Sequence, residues 1–184
     1  MYFALVYYPD IEGERFHSLR KKYEPYYGLI AEHIPLVFPV PQSIGKERVE
    51  DHISRILKKW KPFEVHLHGL EKSWDQWLLL AVEEGNILVR KLHDELYTGG
   101  LLAPFLRYDL PFIPHVGLGF FGNKTYDIAN PTDEIPLEQE KYIRAKAEFE
   151  DLKLDFWRTI DCLTLVSINS NFTKSHDIIQ FRIE

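Results

Sequence analysis

Two six-residue segments of this chain match each other position by position, and this match constrains the fold more than any other feature. Residues 33–38 read HIPLVF and residues 115–120 read HVGLGF, so the two histidines stand 82 positions apart. Each segment has the order histidine, aliphatic, Pro or Gly, Leu, a variable residue, Phe. Each also follows a predicted helix and loop and precedes another helix and strand. The chain is therefore expected to consist of two similar halves.

Strand geometry assigns a face to each position of the repeat. Successive side chains of a strand point to opposite faces, so the second, fourth and sixth residues of each segment should share the core face. These core positions are Ile34, Leu36 and Phe38 in the first segment, and Val116, Leu118 and Phe120 in the second. The remaining positions, which include both histidines, should point away from the core.

If the two halves pack about a pseudo-twofold axis, their central strands place His33 and His115 in one groove. Two imidazoles in one groove suit acid–base catalysis, in which one accepts a proton and the other donates one. An unperturbed histidine pKa of about 6.5 allows both protonation states near neutral pH. We therefore predict that His33 and His115 form an acid–base pair.

The remaining pattern predicts an α+β fold over a single domain, residues 1–184, with antiparallel sheets facing a central cleft and helices packed outside. Predicted strands cover 2–8, 34–38, 63–70, 77–82, 116–121, 156–168 and 176–183, with hairpins over 63–82 and 156–183. Predicted helices cover 11–23, a segment from a cap at Ser43 to about residue 60, 87–97, and 136–152 with Pro136 at its first position. His52 and His93 are expected on solvated helix faces.

Composition narrows the possible partners. The net charge of −6 disfavours binding of long nucleic acid, which relies on surplus Lys and Arg, but allows a small phosphorylated substrate. The single cysteine, Cys162, excludes an intrachain disulfide and a zinc site built from several cysteines.

There is no signal-peptide pattern at the N-terminus and no apolar run of membrane-spanning length, so we expect a cytoplasmic protein without a membrane partner. The oligomeric state is left open.

The paired motifs resemble those of the 2H (two-histidine) phosphoesterase superfamily, which includes 2′-5′ RNA ligases and RNA 2′,3′-cyclic phosphodiesterases. The resemblance covers nearly the whole chain and includes the entry to the second motif, residues 112–116, FIPHV. It implies metal-independent acid–base work by His33 and His115 on a phosphodiester such as a cyclic phosphate of a nucleotide or RNA end, without a cofactor. In that family a Thr or Ser two residues after each histidine holds the phosphate. Pro35 and Gly117 occupy these substrate-binding positions here, which predicts weak phosphate binding.

Three alternatives remain open at this point. The cleft could belong to a catalytically inactive module that binds a nucleotide or a phosphorylated metabolite. His66 and His68, on one face of a predicted strand, could help to bind phosphate, or could hold zinc if a third ligand exists. Four aromatic residues, Tyr7, Tyr8, Phe121 and Tyr126, could stack on a base or simply belong to the core and its rim.

Overall fold

Strands and helices alternate along the chain. The computed structural model describes residues 1–108, 110–128, 131–132 and 134–184. The strands are β1 (Tyr2–Tyr7), β2 (Ile34–Pro41), β3 (Phe63–Lys72), β4 (Trp77–Val82), β5 (His115–Phe120), β6 (Asp155–Ile160), β7 (Cys162–Ile168) and β8 (Ser175–Arg182). The helices are α1 (Glu14–Tyr23), α2 (Lys46–Leu57), α3 (Asn86–Leu96), α4 (Gly99–Leu102) and α5 (Gln139–Glu150), with 3-10 turns at Gln42–Ile44 and Ala103–Phe105.

The strands form two antiparallel sheets of four strands each, which confirms the predicted α+β class. The orders are β2-β1-β7-β8 and β5-β4-β3-β6. The two repeat segments, on β2 and β5, occupy equivalent edges of their sheets rather than the central positions that we expected. Each edge strand pairs antiparallel with the strand that precedes it in the chain, β1 or β4. The two sheets therefore repeat one plan.

Several predicted boundaries differ from the structure. The predicted strand 156–168 is divided at Asp161, so that β6 joins one sheet while β7 joins the other and pairs with β8. Residues 156–168 contain no Gly or Pro, so nothing in the sequence marks the change of sheet. Helix α2 is preceded by Gly45 rather than capped by Ser43, and α5 begins at Gln139, three residues after Pro136. The predicted loop after α3 contains the short helix α4.

The same irregularity occurs at the same place in both repeats. In β2, Leu36 is an extra residue between the pairs Leu5↔Val37 and Val6↔Pro35. In β5, Leu118 is the equivalent extra residue between Leu78↔Gly119 and Leu79↔Gly117. A bulge of this kind reverses the faces of the residues that follow it.

The bulges correct the prediction that the two phenylalanines face the core. Phe38 is 44% exposed, and Phe120 is buried but packs against Trp77 and Tyr126 instead of joining the main apolar cluster. The earlier positions of each segment behave as predicted: Ile34, Leu36, Val116 and Leu118 are fully buried. The alternation is therefore valid only up to the bulge.

Each half contributes a helix that packs on the edge strand of the other half. Helix α1 contacts β5, where a Cβ atom at Gly119 would lie 2.7 Å from the Cβ of Tyr23, so only glycine allows this close approach. Helix α3 contacts β2, where His93 Nδ1 donates to the Leu36 carbonyl at 2.8 Å and the Phe38 amide donates to the Tyr97 hydroxyl at 3.0 Å. These two hydrogen bonds satisfy backbone groups on the open side of β2, where no further strand pairs with it.

Two histidines expected on solvated helix faces are instead buried. His93 is 2% exposed, and His52 is 8% exposed with its Nε2 bonded to the Leu96 carbonyl at 2.8 Å. Charged neighbours in sequence suggested solvation, but a helix carries charged and buried residues on adjacent faces.

None of the helices in the described part of the chain is long and apolar enough to cross a membrane.

Candidate functional site

His33 and His115 lie at the corresponding ends of the two edge strands. His33 immediately precedes β2, and His115 is the first residue of β5. Strands β2 and β5 contact each other where the two sheets meet. The imidazoles are close enough that a positive charge on His115 lowers the pKa of His33. The structure thus brings together the two histidines that the repeat singled out.

The two imidazoles are held in the same way. The Nδ1 atom of His33 contacts the carbonyl oxygen of Ala31 at 2.8 Å, and Nδ1 of His115 contacts that of Ile113 at 2.5 Å. Each carbonyl belongs to the residue two positions earlier in the chain. A carbonyl only accepts, so Nδ1 carries the proton in the neutral ring and Nε2 keeps its lone pair. Both rings therefore offer Nε2 for proton transfer.

The surroundings of the two histidines differ electrostatically. Burial is the main cause that lowers the pKa of His33 to about 4. The positive charges of His115 and Arg20 lower it further, whereas the hydrogen bond to Ala31 raises it. Burial also lowers the pKa of His115, but its hydrogen bond to Ile113 and the carboxylate of Asp75 both raise it. His33 is therefore the poorer proton carrier of the two, and His115 has a carboxylate that favours its charged form.

A buried ion network positions the segment before β2. Arg20 on α1 is 2% exposed and contacts Glu24 at 2.5 Å and Glu32 at 2.8 Å. Glu32 directly precedes His33, so this pair fixes the backbone from which the imidazole projects. Burial raises the pKa of Glu24 to about 7, although Arg20 opposes that change. The (i, i+4) spacing of Arg20 and Glu24 is a local signal for the first pair, but Glu32 lies beyond the helix, so the sequence does not indicate the network.

A second buried network lies beside His115. The Tyr126 hydroxyl donates to Asp75 Oδ2 at 2.8 Å, and the Ser73 hydroxyl donates to Asp75 Oδ1 at 2.5 Å. Ser73 in turn accepts the Trp77 amide at 2.9 Å. Asp75 is 8% exposed, so these donors replace the water that would otherwise stabilise its charge. Asp75 was not among the predicted site residues, and the Ser-X-Asp spacing between β3 and β4 is the only local signal for it.

The two positions that lack a hydroxyl differ in their accessibility. Pro35 is buried within β2, opposite Val6, whereas Gly117 on β5 is half-buried. A Cβ atom at Gly117 would lie 3.5 Å from Cζ3 and 3.6 Å from Cε3 of Trp77, which is ordinary van der Waals contact. The Trp77 ring therefore borders the position that follows His115. The role of Pro35 and Gly117 in substrate binding stays a prediction.

His66 and His68 lie on β3, which β4 separates from β5. His66 bonds to Glu84 at 2.5 Å and to Asp155 at 2.7 Å, and His68 bonds to Glu83 at 2.8 Å. Carboxylates so close to both rings disfavour an anion by charge repulsion. Their predicted contribution to phosphate binding stays a prediction. Among the described residues the convergent group of potential metal ligands is His66, Glu83 and Glu84, and it does not include His68, which the zinc alternative paired with His66.

Of the four aromatic residues named as candidates for base stacking, Tyr126 bonds to Asp75, the carboxylate that acts on His115. Its ring packs edge-on against Trp77 at 5.2 Å between centroids. Phe121 is fully buried and Tyr7 is 6% exposed, so both belong to the core. The hydroxyl of Tyr8 is bonded to Asp177 on β8.

Comparisons with known proteins agree with this architecture. The family described as the 2'-5' RNA ligase superfamily matches residues 8–158. Proteins of Geobacillus thermodenitrificans and Bacillus cereus, both named "Putative phosphoesterase", are each 27% identical to this chain. The matches span 123 and 126 residues respectively, and each covers 65% of this chain and 69% of the relative.

Two solved structures share the fold over nearly the whole length. The protein TT0787 of Thermus thermophilus has a TM-score of 0.59 at 14% identity, with 100% of this chain and 98% of that chain covered. E. coli LigT complexed with 3'-AMP has a TM-score of 0.55 at 14% identity, with 99% and 97% covered. At this identity the likeness concerns the fold.

Proposed function

Because the chain belongs to the 2'-5' RNA ligase superfamily and is a phosphoesterase-type protein, we propose that it is a metal-independent phosphodiesterase acting on a cyclic phosphate of a nucleotide or RNA end. The observation that carries the proposal is the equivalence of His33 and His115. Both rings are held through Nδ1 by the carbonyl two residues earlier, and the two rings are electrostatically coupled. Two imidazoles that are held through Nδ1 present their Nε2 atoms as the base and the acid that a phosphodiester displacement requires.

We assign the two roles from the charges around each ring. Burial, with smaller contributions from the charges of His115 and Arg20, lowers the pKa of His33 to about 4, so this ring is neutral and is the base that accepts a proton from the attacking water. Burial also lowers the pKa of His115, but its hydrogen bond to Ile113 and the carboxylate of Asp75 oppose that change, so His115 is the better proton carrier of the two and is the acid. As the oxygen of water bonds to phosphorus, the bond from phosphorus to one ribose oxygen breaks, and His115 protonates that oxygen. The product is a phosphomonoester, and ring closure would reverse the two roles.

The ligands of a structural neighbour support a nucleotide-sized, phosphate-bearing substrate. E. coli LigT has been crystallised with 3'-AMP and with phosphate. In the present chain the Trp77 ring borders position 117 and packs against Tyr126, so these two rings are the candidates for stacking on a base. Neither Pro35 nor Gly117 has a side-chain donor, so we expect slow turnover and a high KM.

The test is hydrolysis of nucleoside 2′,3′-cyclic phosphates at neutral pH in the presence of a metal chelator. We expect His33→Ala and His115→Ala each to lower kcat by about 10²–10⁴-fold, the usual contribution of a positioned acid or base. His176→Ala is the control, because His176 is an exposed histidine on β8.

Activity that survives in both alanine variants at the wild-type level would contradict the acid–base assignment. A wild-type protein that binds these nucleotides through both histidines without hydrolysing them would instead establish a binding module.

A further inference from the structure

A cluster of histidine and carboxylate side chains lies on the sheet formed by β3, β4 and β6, separate from the paired histidines. His66 is on β3, and Glu83 and Glu84 follow the end of β4. The backbone locks these segments together, because the His66 amide donates to the Glu84 carbonyl at 3.0 Å and the Glu83 amide donates to the His66 carbonyl at 2.8 Å. The three side chains therefore start from fixed positions on neighbouring segments.

The potential ligand atoms converge. His66 Nδ1 and one carboxylate oxygen from each of Glu83 and Glu84 all lie within 4.8 Å of one another. Nδ1 is 2.5 Å from Glu84 Oε2 and 3.8 Å from Glu83 Oε2. Ligands about 2.1 Å from a tetrahedral zinc ion are about 3.4 Å apart, so small side-chain rotations suffice to enclose an ion.

The imidazole of His66 is oriented by groups that are not ligands. Its Nε2 atom contacts Asp155 Oδ1 at 2.7 Å, which directs Nδ1 toward the two glutamates. Its ring stacks on Trp157, with centroids 4.5 Å apart and planes 3° from parallel. A carboxylate behind a histidine is the usual outer partner of a metal-bound imidazole, since it fixes the ring and increases its basicity.

The two glutamates are also held in place. His68 Nδ1 bonds to Glu83 Oε2 at 2.8 Å. The turn that carries the glutamates ends at Gly85, which has a φ of 79°, and a Cβ atom there would clash with the Glu64 carbonyl oxygen. Only glycine fits this turn, so the direction in which Glu83 and Glu84 leave β4 is fixed by the backbone.

We propose that His66, Glu83 and Glu84 form a binding site for one Zn²⁺ ion, with Asp155 and His68 as the outer partners that orient His66 and Glu83. Imidazole and carboxylate are ligands that zinc accepts, and three protein ligands leave a fourth position for water. The ion also offsets the charge of neighbouring carboxylates on an exposed surface. The site is independent of the proposed phosphodiesterase, which uses His33 and His115.

The test is titration of the full chain with Zn²⁺ alone, followed calorimetrically at neutral pH in a non-coordinating buffer. We expect one equivalent to bind, with Asp155→Asn weakening the affinity by about 10–100-fold, as outer-partner substitutions do. His66→Gln and Glu84→Gln remove ligands and should weaken binding more than Asp155→Asn. Glu71→Gln is the matched control, because Glu71 is an exposed glutamate of the same strand outside the cluster.

Titration with Co²⁺ provides a second measurement. A four- or five-coordinate Co²⁺ ion with nitrogen and oxygen ligands absorbs visible light more strongly than hydrated Co²⁺, and Zn²⁺ should displace it. Circular dichroism of each variant establishes that it is folded. Weak binding of several equivalents that is the same in wild type, His66→Gln and Glu84→Gln would overturn the proposal, as would the absence of binding to the folded wild type.

Discussion

A hydroxyl placed at position 117 is expected to strengthen phosphate binding, and Gly117→Ser measures this gain against Gly117→Ala. Position 117 shares the half-buried side of β5 with His115. A Cβ there meets the Trp77 ring at 3.5 Å, an ordinary contact, and Gly117 does not have the positive φ that would disfavour a side chain. Both variants should therefore fold. Serine is preferred to threonine, because it adds the hydroxyl with the fewest other atoms beside the Trp77 ring.

The size of the gain follows from the bond that is added. A hydrogen bond to a charged phosphate oxygen contributes about 1.5–3 kcal/mol, which corresponds to about 10- to 150-fold in affinity. Gly117→Ala adds the same Cβ contact with Trp77 but no donor, so it should remain within a few-fold of wild type. The comparison of the two variants isolates the hydroxyl from the effect of filling space.

The assay is steady-state hydrolysis of a nucleoside 2′,3′-cyclic phosphate, with KM and kcat determined separately. A lower KM alone would show that the hydroxyl binds the substrate and the transition state equally, whereas a higher kcat would show a contact that tightens in the transition state. If Gly117→Ser is no better than Gly117→Ala, position 117 does not face the phosphate. The inferred equivalence of Gly117 to the hydroxyl position of the family would then be refuted.

Two further predictions concern proton binding at the site. The carboxylate of Asp75 raises the pKa of His115, the proposed acid, whose loss of a proton sets the high-pH limb of the kcat/KM profile. Asp75→Asn should therefore move that limb to lower pH. An unshifted limb would contradict the role of Asp75. Burial lowers the pKa of His33 from 6.5 to about 4, so between these pH values the unfolded chain binds a proton that the native chain does not. The free energy of unfolding, measured with urea, should therefore fall as the pH drops from about 6.5 to about 4, and His33→Gln should make this decline shallower. An equally steep decline in His33→Gln would show that His33 is not held neutral by the fold.

The sequence by itself determined the elements that depend on local pattern. The spacing of apolar residues predicted the α+β class, and strand β4 has the predicted limits. The repeat around His33 and His115 identified the two equivalent strands. It also predicted the buried positions Val116 and Leu118, because alternation along a strand is a property of neighbouring residues.

Only the tertiary structure decided what depends on contacts between distant segments. The bulges at Leu36 and Leu118 reverse the faces of Phe38 and Phe120, and nothing in either segment marks them, because a bulge is defined by the register with a partner strand. Asp75 acquires its importance only where the folded chain brings it to His115, 40 positions later. Burial and neighbouring charge then distinguish two histidines that are alike in sequence, since both effects are set by three-dimensional surroundings.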